Sequence, residues 1–72
     1  MNPKIKINFD PNSLEPSWIK VRHESPFSDE EIKKLDEWGA TVHYDNGTFA
    51  LVTLLPSRFD ELAQLESVLE IL

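Results

Sequence analysis

The chain has 72 residues, with 13 acidic and 7 basic side chains and a formal net charge of -6. That length holds one domain, and a domain so short hides only about 60% of the surface its unfolded chain exposes, so its core is thin. At 40% apolar and 28% charged it is globular rather than a disordered acidic tail, and the absence of cysteine excludes disulfides and thiolate zinc sites as staples.

Residues 1–16 read as an N-terminal arm or linker. Pro3, Pro11 and Pro16 fall there with Asn2, Asn8, Asn12 and Ser13, while Ile5, Ile7 and Phe9 alternate with Lys4, Lys6 and Asn8 as an extra strand would. The opening Met1-Asn2-Pro3-Lys4 has no apolar run behind it, so nothing resembles a signal peptide and a cytoplasmic location is expected. A single domain is expected over residues 17–72. Trp18 to His23 alternates with period two, which sets Ile19, Val21 and His23 on one face and Trp18, Lys20 and Arg22 on the other. Pro26 ends this strand. Ser28 then fits a helix N-cap with Glu31 at the third helical position, a capping box, and Phe27 with Ile32 supplies the matching hydrophobic staple. Asp29 and Glu30 suit the positive end of the helix dipole, so this acidic run needs no catalytic explanation. Ile32, Leu35 and Trp38 share one face, and Gly39 is placed to end the helix in the left-handed conformation.

Ala40 to Asp45 is a second strand, and Asn46-Gly47 signals a two-residue type I′ hairpin turn. That turn pairs Asp45 with Thr48, Tyr44 with Phe49, Val42 with Leu51 and Ala40 with Thr53. The third strand, Thr48 to Leu55, then puts Phe49, Leu51 and Leu55 inward and Ala50, Val52 and Leu54 outward, beside Thr41 and His43. Pro56 breaks this strand. Ser57 is read as the cap of a second helix carrying Phe59, Leu62, Ala63 and Leu65, and Val68 to Leu72 alternates as a last strand. The order strand, helix, strand, strand, helix, strand gives an α+β ferredoxin-like plait. Its sheet is four-stranded and antiparallel, with the first and third strands central and both helices on one face.

The plait leaves its other sheet face uncovered, and an apolar patch there is a candidate interaction surface. Either a partner covers it, or the arm folds over it through Ile5, Ile7 and Phe9. Catalytic constellations are not evident. Ser28 and Ser57 are explained as caps, and Ser13, Ser17 and Ser25 lie in loops without an elbow motif. His23, His43 and Asp45 do not follow any metal-ligand spacing, and Gly39 and Gly47 are both used as punctuation, which leaves no phosphate loop. No enzyme activity, cofactor or metal is expected of the domain by itself. The seven basic residues are scattered, so a phosphate backbone is not an expected partner either.

The run Leu35 to Ile71 resembles the propeptide-inhibitor family of the subtilisin-like serine proteases. The matching features are Trp38-Gly39-Ala40 at a helix end, the strand Thr41 to Tyr44, a tight turn and the apolar strand Phe49 to Leu55. Pro56, Phe59 to Leu65 and Val68 to Ile71 continue the match. The resemblance implies a domain that chaperones or inhibits a subtilase, in cis or in trans, by docking its open sheet face on two protease helices. Carried over, the docking face is Thr41, His43, Ala50, Val52 and Leu54, with Trp18 and Lys20 at its margin. Asp45 is the candidate cap for a protease helix, and Leu72 stands where the chain enters the protease. Two features depart from the family. The sequence ends at Leu72, where the family continues with the segment that fills the substrate cleft, and the loop from His23 to Ser28 and the helix after it are shorter than in many relatives.

On this reading Val52→Asp weakens docking without unfolding the domain. The alternative is a regulatory or dimerisation plait, in which two open faces or two sheet edges join. An RNA-recognition plait fits less well, because Phe49 is expected in the core and a basic partner is missing.

Overall fold

The computed structural model describes residues 2–72. The elements are β1 (Ser17–His23), α1 (Asp29–Glu37), β2 (Thr41–Asp45), β3 (Phe49–Leu54), a 3-10 turn (Pro56–Arg58), α2 (Phe59–Ala63) and β4 (Val68–Ile71). The strands form one antiparallel sheet in the order β2-β3-β1-β4. This is the expected βαββαβ plait, with β1 and β3 central.

Helix α1 forms where local chemistry asks for it. The Ser28 hydroxyl accepts the Glu31 N–H at 3.2 Å and the Glu31 carboxylate accepts the Ser28 N–H at 3.0 Å, so two orphan donors are satisfied reciprocally. At the other end Gly39 has φ 74, the Ala40 N–H reaches the Leu35 carbonyl and the Gly39 N–H reaches that of Asp36. These are the two bonds of a Schellman cap. Leu35 is buried, Trp38 half-buried and Ile32 exposed, and Phe27 stacks on the His23 ring at 4.6 Å. The second helix is shorter than its pattern suggests. Pro56 and Ser57 belong to the 3-10 turn, α2 starts only at Phe59, and Ser57 makes no capping bond.

The central correction concerns β3. Ala50, Val52 and Leu54 are 1%, 0% and 1% exposed and lie in the core, whereas Phe49 is 40% exposed on the bare face. The cause is the pairing with β1, where Ile19 lies opposite Val52, Val21 opposite Ala50 and Ser17 opposite Leu54. Residues opposite one another share a face, and the face of Ile19 and Val21 is the one covered by Leu35, Phe59 and Leu62.

The hairpin is also displaced by one position. The Asn46 N–H bonds the Phe49 carbonyl at 3.0 Å, so Gly47 and Thr48 are the central residues and only Gly47 has positive φ. Asn46 is instead held by its own carboxamide oxygen, which accepts the N–H groups of Thr48 and Phe49. Asp45 therefore faces Ala50 and Tyr44 faces Leu51. A bulge at His43 then sets Val42 opposite Val52 and Thr41 opposite Thr53.

The arm does not cross the open face. Ile5 is buried beside Ile71, the Lys6 N–H bonds the Ile71 carbonyl at 2.9 Å, and the Ile71 N–H bonds that of Lys4 at 2.8 Å. Phe9 sets its ring against Phe59 at 4.9 Å. The arm thus extends the β4 edge and thickens the helical layer.

Glu31 reaches beyond its cap. Its two carboxylate oxygens also accept the Ser67 hydroxyl, at 2.9 and 2.8 Å, and one accepts the Ser67 N–H at 3.3 Å, which ties α1 to the loop before β4. Burial raises the Glu31 pKa, but the bonds from Ser28 and Ser67 outweigh it and hold the carboxyl below its ordinary value. A folded-state pKa that is depressed stabilises the fold above the unfolded value and loses that stability as pH falls through the folded one. Glu31→Gln is therefore expected to cost about 1 kcal/mol at neutral pH. In urea titrations across pH, the gap from the unsubstituted chain should close below the ordinary value of 4.5. Val52→Asp puts a carboxylate among apolar side chains, so loss of the far-UV circular dichroism of the folded state is expected, in place of a docking defect in a folded domain.

Candidate interaction surface

Three strand-crossing rows make up the bare face. Thr41, Thr53 and Trp18 form one, Tyr44, Leu51, Lys20 and Leu72 the next, and Phe49, Arg22 and Glu70 the third. Trp18 is 61% and Tyr44 59% exposed, far above what a buried aromatic shows. The bulge turns His43 onto the same face. Its ring stacks on Trp18 at 4.1 Å, and its Nε2 lies 2.9 Å from the Thr53 hydroxyl. Arg22 bonds Glu70 across the strands at 2.7 Å. A shallow groove of about 440 Å³ runs over this face between Lys20, Tyr44, Asn46, Phe49, Leu51 and Leu72.

Trp18, Lys20, Thr41, His43 and Leu72 lie together on this face, whereas Ala50, Val52 and Leu54 lie in the core. Asp45 is turned away from the face. Its Oδ1 lies 2.9 Å from the His23 Nε2 and accepts the Gly47 N–H at 2.9 Å, so it is committed within the chain rather than to a partner's helix. Tyr44, Phe49, Leu51 and Thr53 are the face residues that sequence reasoning missed. The signal was present in β1, whose clean alternation would have assigned the faces of its neighbour once the two were paired.

His23 and Asp45 show two-thirds of a catalytic triad geometry, but the remaining His23 nitrogen, Nδ1, faces the Ser25 carbonyl at 2.7 Å and not a hydroxyl. With the side chain fully buried, this is a structural clamp between β1 and the hairpin. A larger cleft of about 500 Å³ lies between the start of α1 and residues 64–67, and there Glu31 and Ser67 satisfy one another. Among the described residues no cluster of three or more His, Cys, Asp or Glu is placed to hold a metal ion. No helix among them is long and apolar enough to cross a membrane.

No family model, curated protein or solved structure matches the chain.

His23→Leu keeps the volume roughly constant but removes the ring that bridges the Ser25 carbonyl and the Asp45 carboxylate. A loss of about 2 kcal/mol in urea unfolding is expected. Asp45→Asn, which retains an acceptor, should cost less.

Proposed function

We propose that this chain is a non-catalytic protein-binding domain that works as the propeptides of subtilisin-like serine proteases do, as intramolecular chaperone or inhibitor of a subtilase. The observation that carries the reading is the bare sheet face. Trp18, Tyr44, Phe49 and Leu72 are each exposed by 39% or more on one side of a sheet whose other side carries the core. Large apolar side chains grouped on one surface of a small domain mark a docking site, and aromatic residues are the favoured anchors. The resemblance of residues 35–71 to that family supports the same partner. The docking set becomes Trp18, Lys20, Thr41, His43, Tyr44, Phe49, Leu51 and Leu72.

Exposed aromatics on an open plait face would also suit stacked RNA bases, and Phe49 is no longer an objection to that. Charge is the objection that remains. The chain is at -6, and Arg22 on this face is already paired with Glu70. A regulatory or dimerisation module is the second reading. It is favoured by β2, an outer strand of the sheet whose five residues are all exposed.

Adding the domain in excess to a mature subtilisin is expected to reduce proteolysis and to give a complex on a sizing column. Phe49→Asp should lose both while keeping the circular dichroism of the folded domain. Refolding the denatured protease with the domain present tests the chaperone role. Undiminished proteolysis with no complex and no gain in refolding overturns the proposal, and a dimer at low micromolar concentration favours the second reading.

A further inference from the structure

We infer that the surface docked on this face presents a carboxylate at its centre, which pairs with Lys20 inside a ring of apolar contacts. The inference rests on the docking function proposed above and specifies the chemistry of the partner. Lys20 lies in the middle of the face. Trp18 and Arg22 flank it on its own strand, Leu51 lies opposite on β3, and its backbone exchanges two hydrogen bonds with Leu72 beyond β4. Arg22 brings its own counter-ion in Glu70. Among the described residues the Lys20 ammonium has neither a hydrogen bond nor an ion pair.

Any surface that covers Trp18, Leu51 and Leu72 together takes water from that ammonium. A lysine at the rim of a patch escapes by extending its head into solvent. Lys20 has Trp18 on one side along its strand, Leu51 and Leu72 across the adjoining strands and the already paired Arg22 on the remaining side, so a broad partner closes that route. A buried cation left unpaired costs more than the surrounding contacts return. The partner must therefore bring an acceptor, and a carboxylate is the acceptor that also cancels the charge. The distribution of charge agrees. Glu70 is the one acid among the strand residues of this face, and it is used by Arg22, while α1 and α2 carry Asp29, Glu30, Glu31, Asp36, Glu37, Asp60 and Glu61. The molecule as a whole repels an acidic partner at long range. Lys20 then acts by selecting a local match, and not by steering the encounter.

The test measures binding of the full domain to a mature subtilisin by inhibition and calorimetry, at low and high salt. Lys20→Met is expected to weaken binding at least about thirty-fold, as removal of one member of a buried charge pair does. Lys20→Glu should weaken it further, Lys20→Arg should retain most of it, and added salt should weaken the unsubstituted domain more than Lys20→Met. Lys20 is exposed, so these variants should keep the circular dichroism of the folded domain. Equal or tighter binding by Lys20→Met, with binding lost in Phe49→Asp, overturns the inference and leaves the docking function standing. If the unsubstituted domain does not bind, or Phe49→Asp binds as it does, the docking function itself falls and the inference with it.

Discussion

The antiparallel pairing of β1 with β3 is the constraint on which the rest of the molecule depends. With Ile19 opposite Val52 and Val21 opposite Ala50, the two central strands present one apolar set to the helices. Because side chains alternate along a strand, the same pairing sends Trp18, Lys20, Leu51 and Thr53 to the other side. A slip of one residue in β1 would bury Lys20 and Arg22 and expose Ile19 and Val21. Two charges would lose water in the same step that two apolar side chains gained it, so the register is strongly determined. The bare face is therefore the obligatory complement of the core.

A core this thin needs support from elsewhere, and polar clamps provide it at one end of the sheet. The Glu31 carboxylate joins the start of α1 to Ser67, and the Glu24 N–H reaches the Ser67 carbonyl at 2.8 Å. His23 joins the end of β1 to Asp45 at the hairpin and to Ser25 in the following loop. Each clamp uses groups that burial would otherwise leave unpaired, and no buried side-chain nitrogen or oxygen among the described residues lacks a partner. Such bonds contribute modestly when made and cost heavily when half-removed. They stabilise the loop end of a domain that has no disulfide to do so.

What was legible in the sequence follows the range of the interaction responsible. The capping box of Ser28 and Glu31 and the left-handed Gly39 depend on residues within one or two turns, and both stand as read. The strand order followed from element order and crossover handedness. The faces of β3 did not follow, because Phe49 to Leu54 is apolar at most positions and periodicity cannot sort a strand that is apolar on both sides. Only its non-local pairing with β1 could do so. The turn at Asn46-Gly47 was displaced because the Asn46 side chain captures the turn's own N–H groups, and the bulge at His43 leaves no mark in composition. The Glu31–Ser67 contact joins residues 36 apart and was out of reach of any local pattern. The candidate site inherited the β3 error: Trp18, Lys20, Thr41 and His43 lie on the bare face, Asp45 turns to His23, and Ala50, Val52 and Leu54 give way to Phe49, Leu51 and Thr53.

The placement of the arm explains why the face stays bare. Seven residues from Lys4 to Asp10 could cover part of an open sheet, and Ile5, Ile7 and Phe9 have the hydrophobicity to do it. They go to the β4 edge instead. There Lys4 and Lys6 satisfy both backbone groups of Ile71, while Ile5 and Phe9 still reach the core through Ile71 and Phe59. An edge offers unpaired N–H and C=O groups as well as apolar contact, and a sheet face offers apolar contact alone. The arm therefore gains more at the edge. On the opposite side β2 is broken by its bulge, which spoils a flat template for another strand. One edge is capped and the other distorted, so the face is the surface on which a partner of matching shape gains most. This is how a chain of 72 residues, whose size first suggested only a thin core, comes to hold a broad aromatic surface in solvent.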